Sequence, residues 1–371
     1  ATTNGSSSSS SELTILGATS GDTGSSAIEG VRGRKGVECF ILYPQGRTSA
    51  IQEAQMATVE DANVHAVAVK GAAFDDCQKI VKTLFGDAAF REKHALGAVN
   101  SINWARIVAQ IVYYFYAAFR VGGTEEGNND TKDLWFSVPT GNFGDVLAGW
   151  YAKRMGCPCA GLVVATNEND ILAKFFETGS YARPTEGATP TLAPSMDICV
   201  SSNFERFAFH CAGDHATTLS KLMSDFETTG RFDAPPDLLA TARSEMRAAS
   251  VDHAGILGAI RAWHDKTGYV LDPHTAVGVK AGVDLVLGGN QDASSNARHK
   301  TLVCLACAHH AKFPEAVAQA IGDDALRAVP PEPALTSLLD KPKRNAVVEN
   351  SVAAVSAFIE AQLQLRRAAS D

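Results

Sequence analysis

Short, mostly apolar runs alternate along the chain with stretches whose apolar positions recur every three or four residues. Runs of the first kind, at residues 13–16, 37–43, 64–69, 134–138, 162–165 and 301–306, predict strands buried on both faces. Stretches of the second kind, at 25–31, 50–58, 74–85, 143–155 and 170–177, predict helices with an apolar face. Residues 102–119 read as a long core helix, too polar at Asn103, Arg106 and Gln110 to be a membrane span. Residues 210–265 read as polar, alanine-rich helices, and 347–367 as an amphipathic helix. Strands alternating with helices predict an α/β protein with parallel sheets and right-handed crossovers, in two sheet-bearing lobes. The expected division is a linker over residues 1–11, a small α/β domain over 12–107, and a large one over 108–371 that includes the C-terminal helices.

Composition narrows the classes. Of 371 residues, 45% are hydrophobic and 20% charged, with a formal net charge of -8. Nucleic acid binding by a bulk basic surface is excluded, because it needs clustered Lys and Arg. A local anion site is not excluded, since backbone amides hold phosphate without net positive charge. No apolar run reaches the roughly 20 residues that span a bilayer. The eight cysteines sit mostly in apolar runs, as buried thiols do, and point to a reducing, cytoplasmic compartment. Cys304 and Cys307 have redox-motif spacing but lie in what reads as a central strand, so they are taken as structural. The chain opens on a serine-rich run, Ser6 to Ser11, without an initial methionine, which leads us to expect a piece of a longer protein.

The chemistry concentrates at two strand-to-helix junctions. One is Gly17–Gly24 (GATSGDTG), the other Val138–Asp145 (VPTGNFGD). Each follows a buried strand and opens a helix, where free N–H groups and the helix dipole favour an anion. Read alone, either loop is equally a tight turn with capping side chains. Neither matches the dinucleotide fingerprint or the P-loop, which counts against an NAD enzyme and an ATPase. At 98–106, Asn100, Ser101, Asn103 and Arg106 are either helix caps or ligands of an anionic substrate. At 271–278, Thr275 either caps a helix or points into a cleft. His309 and His310 have no third ligand at a sensible spacing, so no metal is expected.

At these segments the chain resembles the threonine synthases of fungi and bacteria. The runs that carry the resemblance are Gly17–Gly24, Ala98–Asn103, Pro139–Asp145, Ala165–Asp170, Ser201–Arg206 and Asp272–Gly278, in the family's order and spacing. The likeness covers about residues 13–320. It implies a two-lobed, tryptophan-synthase-like (fold type II) enzyme that uses pyridoxal 5′-phosphate. The implied reaction turns O-phospho-L-homoserine and water into L-threonine and phosphate. The implied cofactor cradle is Gly141, Asn142, Phe143, Gly144 and Asp145, with Thr275 on the pyridine nitrogen. Ser20, Gly21, Asp22 and Thr23 would hold the substrate's carboxylate end, and Asn100, Ser101, Asn103 and Arg106 its phosphate. No nucleic acid or membrane partner is implied.

The family's cofactor-anchoring lysine lies in a Phe-Lys-Asp context upstream of Gly17, and nothing here matches it. We expect that lysine on an N-terminal segment of the same protein, and a chain that alone turns over essentially nothing. Two other readings stay open: a related phospho-lyase that makes no threonine, and a non-catalytic cofactor- or phosphate-binding relative.

Overall fold

A computed structural model describes residues 13–19, 21–122, 133–288 and 300–370. Its strands are β1 (Leu13–Ala18), β2 (Val37–Pro44), β3 (Val64–Lys70), β4 (Leu96–Ala98), β5 (Leu134–Pro139), β6 (Gly161–Thr166), β7 (Ser180–Ala182), β8 (Arg231–Asp233), β9 (Met246–Ser250), β10 (Thr301–Cys304) and β11 (Ala346–Glu349). They fall into two compact units, one built from residues up to Asn100 together with those from Pro331 onward, the other from Ser101 to Pro330.

The first unit is a five-stranded sheet in the order β11-β3-β2-β1-β4, with every pair parallel. Its strands are apolar on both faces because both are covered. In β2, Phe40 and Leu42 pack with Cys77, Ile80 and Leu84 of the Phe74–Gly86 helix. The alternate residues, Cys39, Ile41 and Tyr43, pack with Ile28 and Met56 on the other side. The period of two along the strand sorts them.

The C-terminal segment belongs to this unit, which corrects the expected division. Residues 346–349 are not helical but form β11, whose Ala346 pairs with Val67. The helix starts later, at Val352. It buries Val355, Ile359 and Leu363 against the Leu16 and Phe40 face, worth roughly 1.5–3 kcal/mol for each side chain. Arg366 donates to Glu38 at 2.9 Å, and His65 approaches the same carboxylate at 3.1 Å. Burial opposes the Glu38 charge, but these partners outweigh it and hold the carboxyl below its ordinary range.

The second unit is a four-stranded parallel sheet, β10-β5-β6-β9, with a separate antiparallel pair β7-β8. Leu134, Phe136 and Val138 of β5 face the Gly144–Arg154 helix. The other face of the sheet receives the Pro273–Val286 helix through Val277 and Val279. That helix lies so close that a Cβ at Gly278 would come within 2.9 Å of the Pro139 ring.

Three expectations change here. Residues 246–250, read as helical, supply the edge strand β9. β10, read as central, pairs with β5 alone among the described strands. The helix at Trp104–Gly122 buries only one stripe, Ile107, Ile111, Tyr114 and Ala118. Trp104, Val108, Val112 and Tyr116 are exposed. Its apolar residues spread around the whole circumference, and only the face turned to the Gly144–Arg154 helix is covered.

Candidate cofactor site

The loop after β5 is a cradle of backbone amides. The Gly144–Arg154 helix begins at Phe143, and no side chain caps that end. Its first N–H groups therefore face outward without intrahelical partners, at the positive end of the helix dipole. Phe143 adopts the left-handed conformation, φ 62°, which costs a bulky residue of order 1–3 kcal/mol. Burial holds it there. Phe143 is 1% exposed, with the Phe204 and Phe207 rings 5.5 and 5.3 Å away.

The Gly141 and Asn142 carbonyls of this loop are bonded to a separate segment. Ser201 Oγ donates to Gly141 O at 2.8 Å. Asn203 donates to Asn142 O twice, from its backbone N at 3.1 Å and its Nδ2 at 2.9 Å. A Cβ on Gly141 would lie 3.3 Å from Met196 Cα and from the Ser195 carbonyl oxygen, so the turn admits glycine most easily. With its acceptors satisfied behind, the loop offers donors in front, which is what a phosphate needs.

The side chain of Asp145 is bonded to two tyrosines. Its Oδ1 accepts from Tyr113 OH at 2.5 Å and Tyr114 OH at 2.9 Å. Burial pushes its carboxyl above the ordinary range, against those two donors. The carboxylate is thus committed to two tyrosines, and only the Asp145 N–H is left for an anion.

Thr275 stands near the same end of the sheet. It opens the Pro273–Val286 helix, capped by Asp272. Thr275 Oγ1 donates to Asp272 Oδ2 and accepts the Cys307 N–H at 3.0 Å. Cys307 lies just beyond the carboxyl end of β10, next to β5 in the sheet. The Pro194–Met196 turn joins the two parts: Ser195 N donates to His274 Nε2 at 3.1 Å, while Met196 backs Gly141. Ligands of open α/β sheets bind at this end of the strands.

Of the segment at 101–106, only Ser101 reaches the cradle's support. Its hydroxyl is 3.0 Å from Ser202 Oγ, and its carbonyl accepts from Asn203 Nδ2 at 3.0 Å. Asn103 Oδ1 accepts the Ala105 N–H, a local cap. Arg106 is half-buried in the first turn. Asn100 is exposed and falls in the first unit.

The loop after β1 is organised by a residue the sequence reading passed over. Thr19 Oγ1 accepts from both Gly21 N and Gly24 N at 2.9 Å and donates to Gly21 O at 3.1 Å. Gly21 (φ 154°) has its N–H spent there, so its part is conformational. Asp22 and Thr23 start the Asp22–Val31 helix, which no side chain caps. Ser20 lies outside the described residues.

Thr19, Ser201, Asn203 and Asp272 are the functional-loop residues that sequence reasoning left without a role. All four stand inside the runs that carry the family resemblance, and that was the available signal. Among the described residues no three His, Cys, Asp or Glu side chains gather to hold a metal. His309 Nδ1 accepts the Ala311 N–H. No described helix is long and apolar enough to cross a membrane.

Comparison with known proteins follows the same lines. Residues 4–307 match the family model "Pyridoxal-phosphate dependent enzyme", and residues 275–359 match "Threonine synthase, C-terminal". A threonine synthase of Schizosaccharomyces pombe is 47% identical over 324 residues, 82% of this chain and 61% of that protein. The chain thus spans less than two thirds of that relative's length. A solved threonine synthase from yeast superposes with a TM-score of 0.87 at 40% identity, covering 97% of this chain and 72% of the other. The PLP-bound threonine synthase from Brucella melitensis gives 0.83 at 41% identity, covering 95% and 71%.

Proposed function

The chain belongs to the threonine synthase family of pyridoxal-phosphate-dependent enzymes, and we propose that the protein converts O-phospho-L-homoserine and water to L-threonine and inorganic phosphate. The observation that carries the reading is the uncapped amino end of the Gly144–Arg154 helix, where the Gly141 and Asn142 carbonyls are tied back by Ser201 and Asn203. A bound phosphate is the partner that such a set of donors lacks.

In this reading the N–H groups of Asn142, Phe143, Gly144 and Asp145 hold the cofactor's phosphate beside Gly141. Thr275 meets the pyridine nitrogen. When bound, pyridoxal phosphate acts as the electron sink of the reaction. Pre-formed donors hold the anion without reorganising when charge moves. Ser20, Gly21, Asp22 and Thr23 surround the substrate carboxylate at the uncapped amino end of their helix, Gly21 by its conformation rather than its N–H, which Thr19 holds. Asn100, Ser101, Asn103 and Arg106 serve the substrate's phosphate, with Arg106 the only cation among them. The lysine that anchors the cofactor and moves protons is assigned to the part of the relatives' length that this chain does not span. The free thiols support a cytoplasmic enzyme acting on a small molecule.

The test is product analysis with the protein isolated from its source and supplied with O-phospho-L-homoserine. Threonine and phosphate should form in equal amounts. Release of phosphate with α-ketobutyrate in place of threonine would overturn the assignment in favour of a phospho-lyase.

A further inference from the structure

Between β7 and the Phe204–Cys211 helix, residues 183–203 hold no regular element except the Pro194–Met196 turn. A loop of that length is uncommon in a compact unit unless it serves a site. This one passes behind the phosphate cradle. Met196 and the Ser195 carbonyl back Gly141, and Ser201 and Asn203 hold the Gly141 and Asn142 carbonyls. The earlier part of the loop is tied down by groups outside the cradle.

Asp197, directly after the turn, is where those ties meet. Its Oδ1 accepts from Asn167 Nδ2 at 2.7 Å, Asn169 Nδ2 at 3.0 Å and Thr191 Oγ1 at 2.7 Å. Its Oδ2 accepts the Thr191 N–H at 2.9 Å. Burial pushes the carboxyl above its ordinary range, against these donors. All four bonds run toward the carboxylate, so the ionised form is the one that fits. Asn167 and Asn169 are buried and follow directly on β6. Asn167 Nδ2 also donates to Thr191 Oγ1 at 2.8 Å. Asn169 holds both backbone groups of Thr189, its N–H at 2.8 Å and its carbonyl at 2.9 Å. Two asparagines at the carboxyl end of the sheet thus fasten the loop at Thr189, Thr191 and Asp197.

We propose that Asp197 is a positioning residue: with Asn167 and Asn169 it fixes the loop on which the phosphate cradle rests, and so sets the affinity for the cofactor's phosphate without touching it. The inference deepens the cofactor reading above and rests on it. Donors that hold an anion work only when a supporting layer keeps them aimed. Asp197→Asn keeps one acceptor oxygen and places an amide N–H opposite groups that themselves donate. The loop then loses its anchor beside the turn, Gly141 loses its fixed backing, and the N–H groups after it lose their common aim.

The experiment compares pyridoxamine 5′-phosphate with pyridoxamine, titrated into the full chain by calorimetry. Both carry the ring, and the ratio of their dissociation constants reads what the phosphate contributes. The parent should prefer the phosphorylated compound. Asp197→Asn should cut that preference about 10-fold, the worth of roughly one charge-assisted hydrogen bond, and leave the pyridoxamine affinity unchanged. Should that variant fail to fold by circular dichroism, Thr191→Val removes one donor to the carboxylate and should lower the preference in the same direction, by less. An unchanged preference in the variant that folds, or an equal loss for both compounds, overturns the inference and leaves the cofactor reading standing. No preference for the phosphorylated compound in the parent overturns the cofactor reading, and the inference with it.

Discussion

The two glycine-rich loops, after β1 and after β5, look alike in composition and in their place between a strand and a helix. Their hydrogen bonds differ. In the first loop a threonine hydroxyl inside the loop gathers the N–H groups of Gly21 and Gly24 to itself. In the second, Thr140 turns its hydroxyl back to the Val138 carbonyl, and the loop's own carbonyls are taken by a separate segment, Ser201 to Asn203. The first loop is braced from within and the second from behind. A loop braced from behind keeps its N–H groups for a ligand; one braced from within spends some of them on itself.

The sharpest way to break the comparison is at Phe143. Phe143→Ala should cost about 3–5 kcal/mol of stability in urea unfolding, because it empties a buried aromatic site. It should also weaken pyridoxal phosphate binding. Phe143→Gly loses the same ring but adopts the left-handed turn freely, and should be less destabilised by about 1 kcal/mol. Equal losses in the two would mean that the left-handed turn carries no strain.

A smaller effect is expected in the loop braced from within. Thr19→Val keeps the shape and strands two buried N–H groups, at a cost of about 2–4 kcal/mol. Pyridoxal phosphate affinity, read by fluorescence titration, should not change. A parallel loss of cofactor affinity would erase the distinction drawn between the loops.

The smallest effect separates backbone from side chain in the second loop. The carboxyl of Asp145 titrates above its ordinary range because it is buried. The folded state therefore holds that proton more tightly than the unfolded one, and its contribution to stability falls as pH rises through the folded value. Asp145→Asn keeps an acceptor for Tyr113 and Tyr114 and removes this fall. Relative to the parent, the variant should gain stability as pH rises through the folded value of the Asp145 carboxyl, read by urea unfolding at a series of pH values. Its affinity for pyridoxal phosphate should stay the same or rise, because a nearby negative charge is lost. A large loss of affinity would show that the carboxylate itself serves the site.

Local pattern alone made much of the protein legible. Apolar runs such as residues 39–43 and 162–165 announced buried parallel strands, because a sheet covered on both faces uses such runs. The glycine loops announced helix amino ends, because few other residues make those turns. Residues 246–250 and 347–349 were misread for one shared reason. Both are edge strands, exposed on one side, and their short polar-apolar sequences fit a helix as well as a strand until a neighbour supplies the hydrogen bonds. The exposed stripe of the Trp104–Gly122 helix was hidden in the same way, since composition reports apolarity without saying which face is covered. Within the site, residue types marked out which loops could hold an anion. Only the tertiary structure decided which N–H groups remain free, that Asp145 serves two tyrosines, and that Thr275 faces Asp272. Hydrogen bonds join residues far apart in the chain, and the direction of a hydroxyl is set by whichever neighbour the fold brings to it.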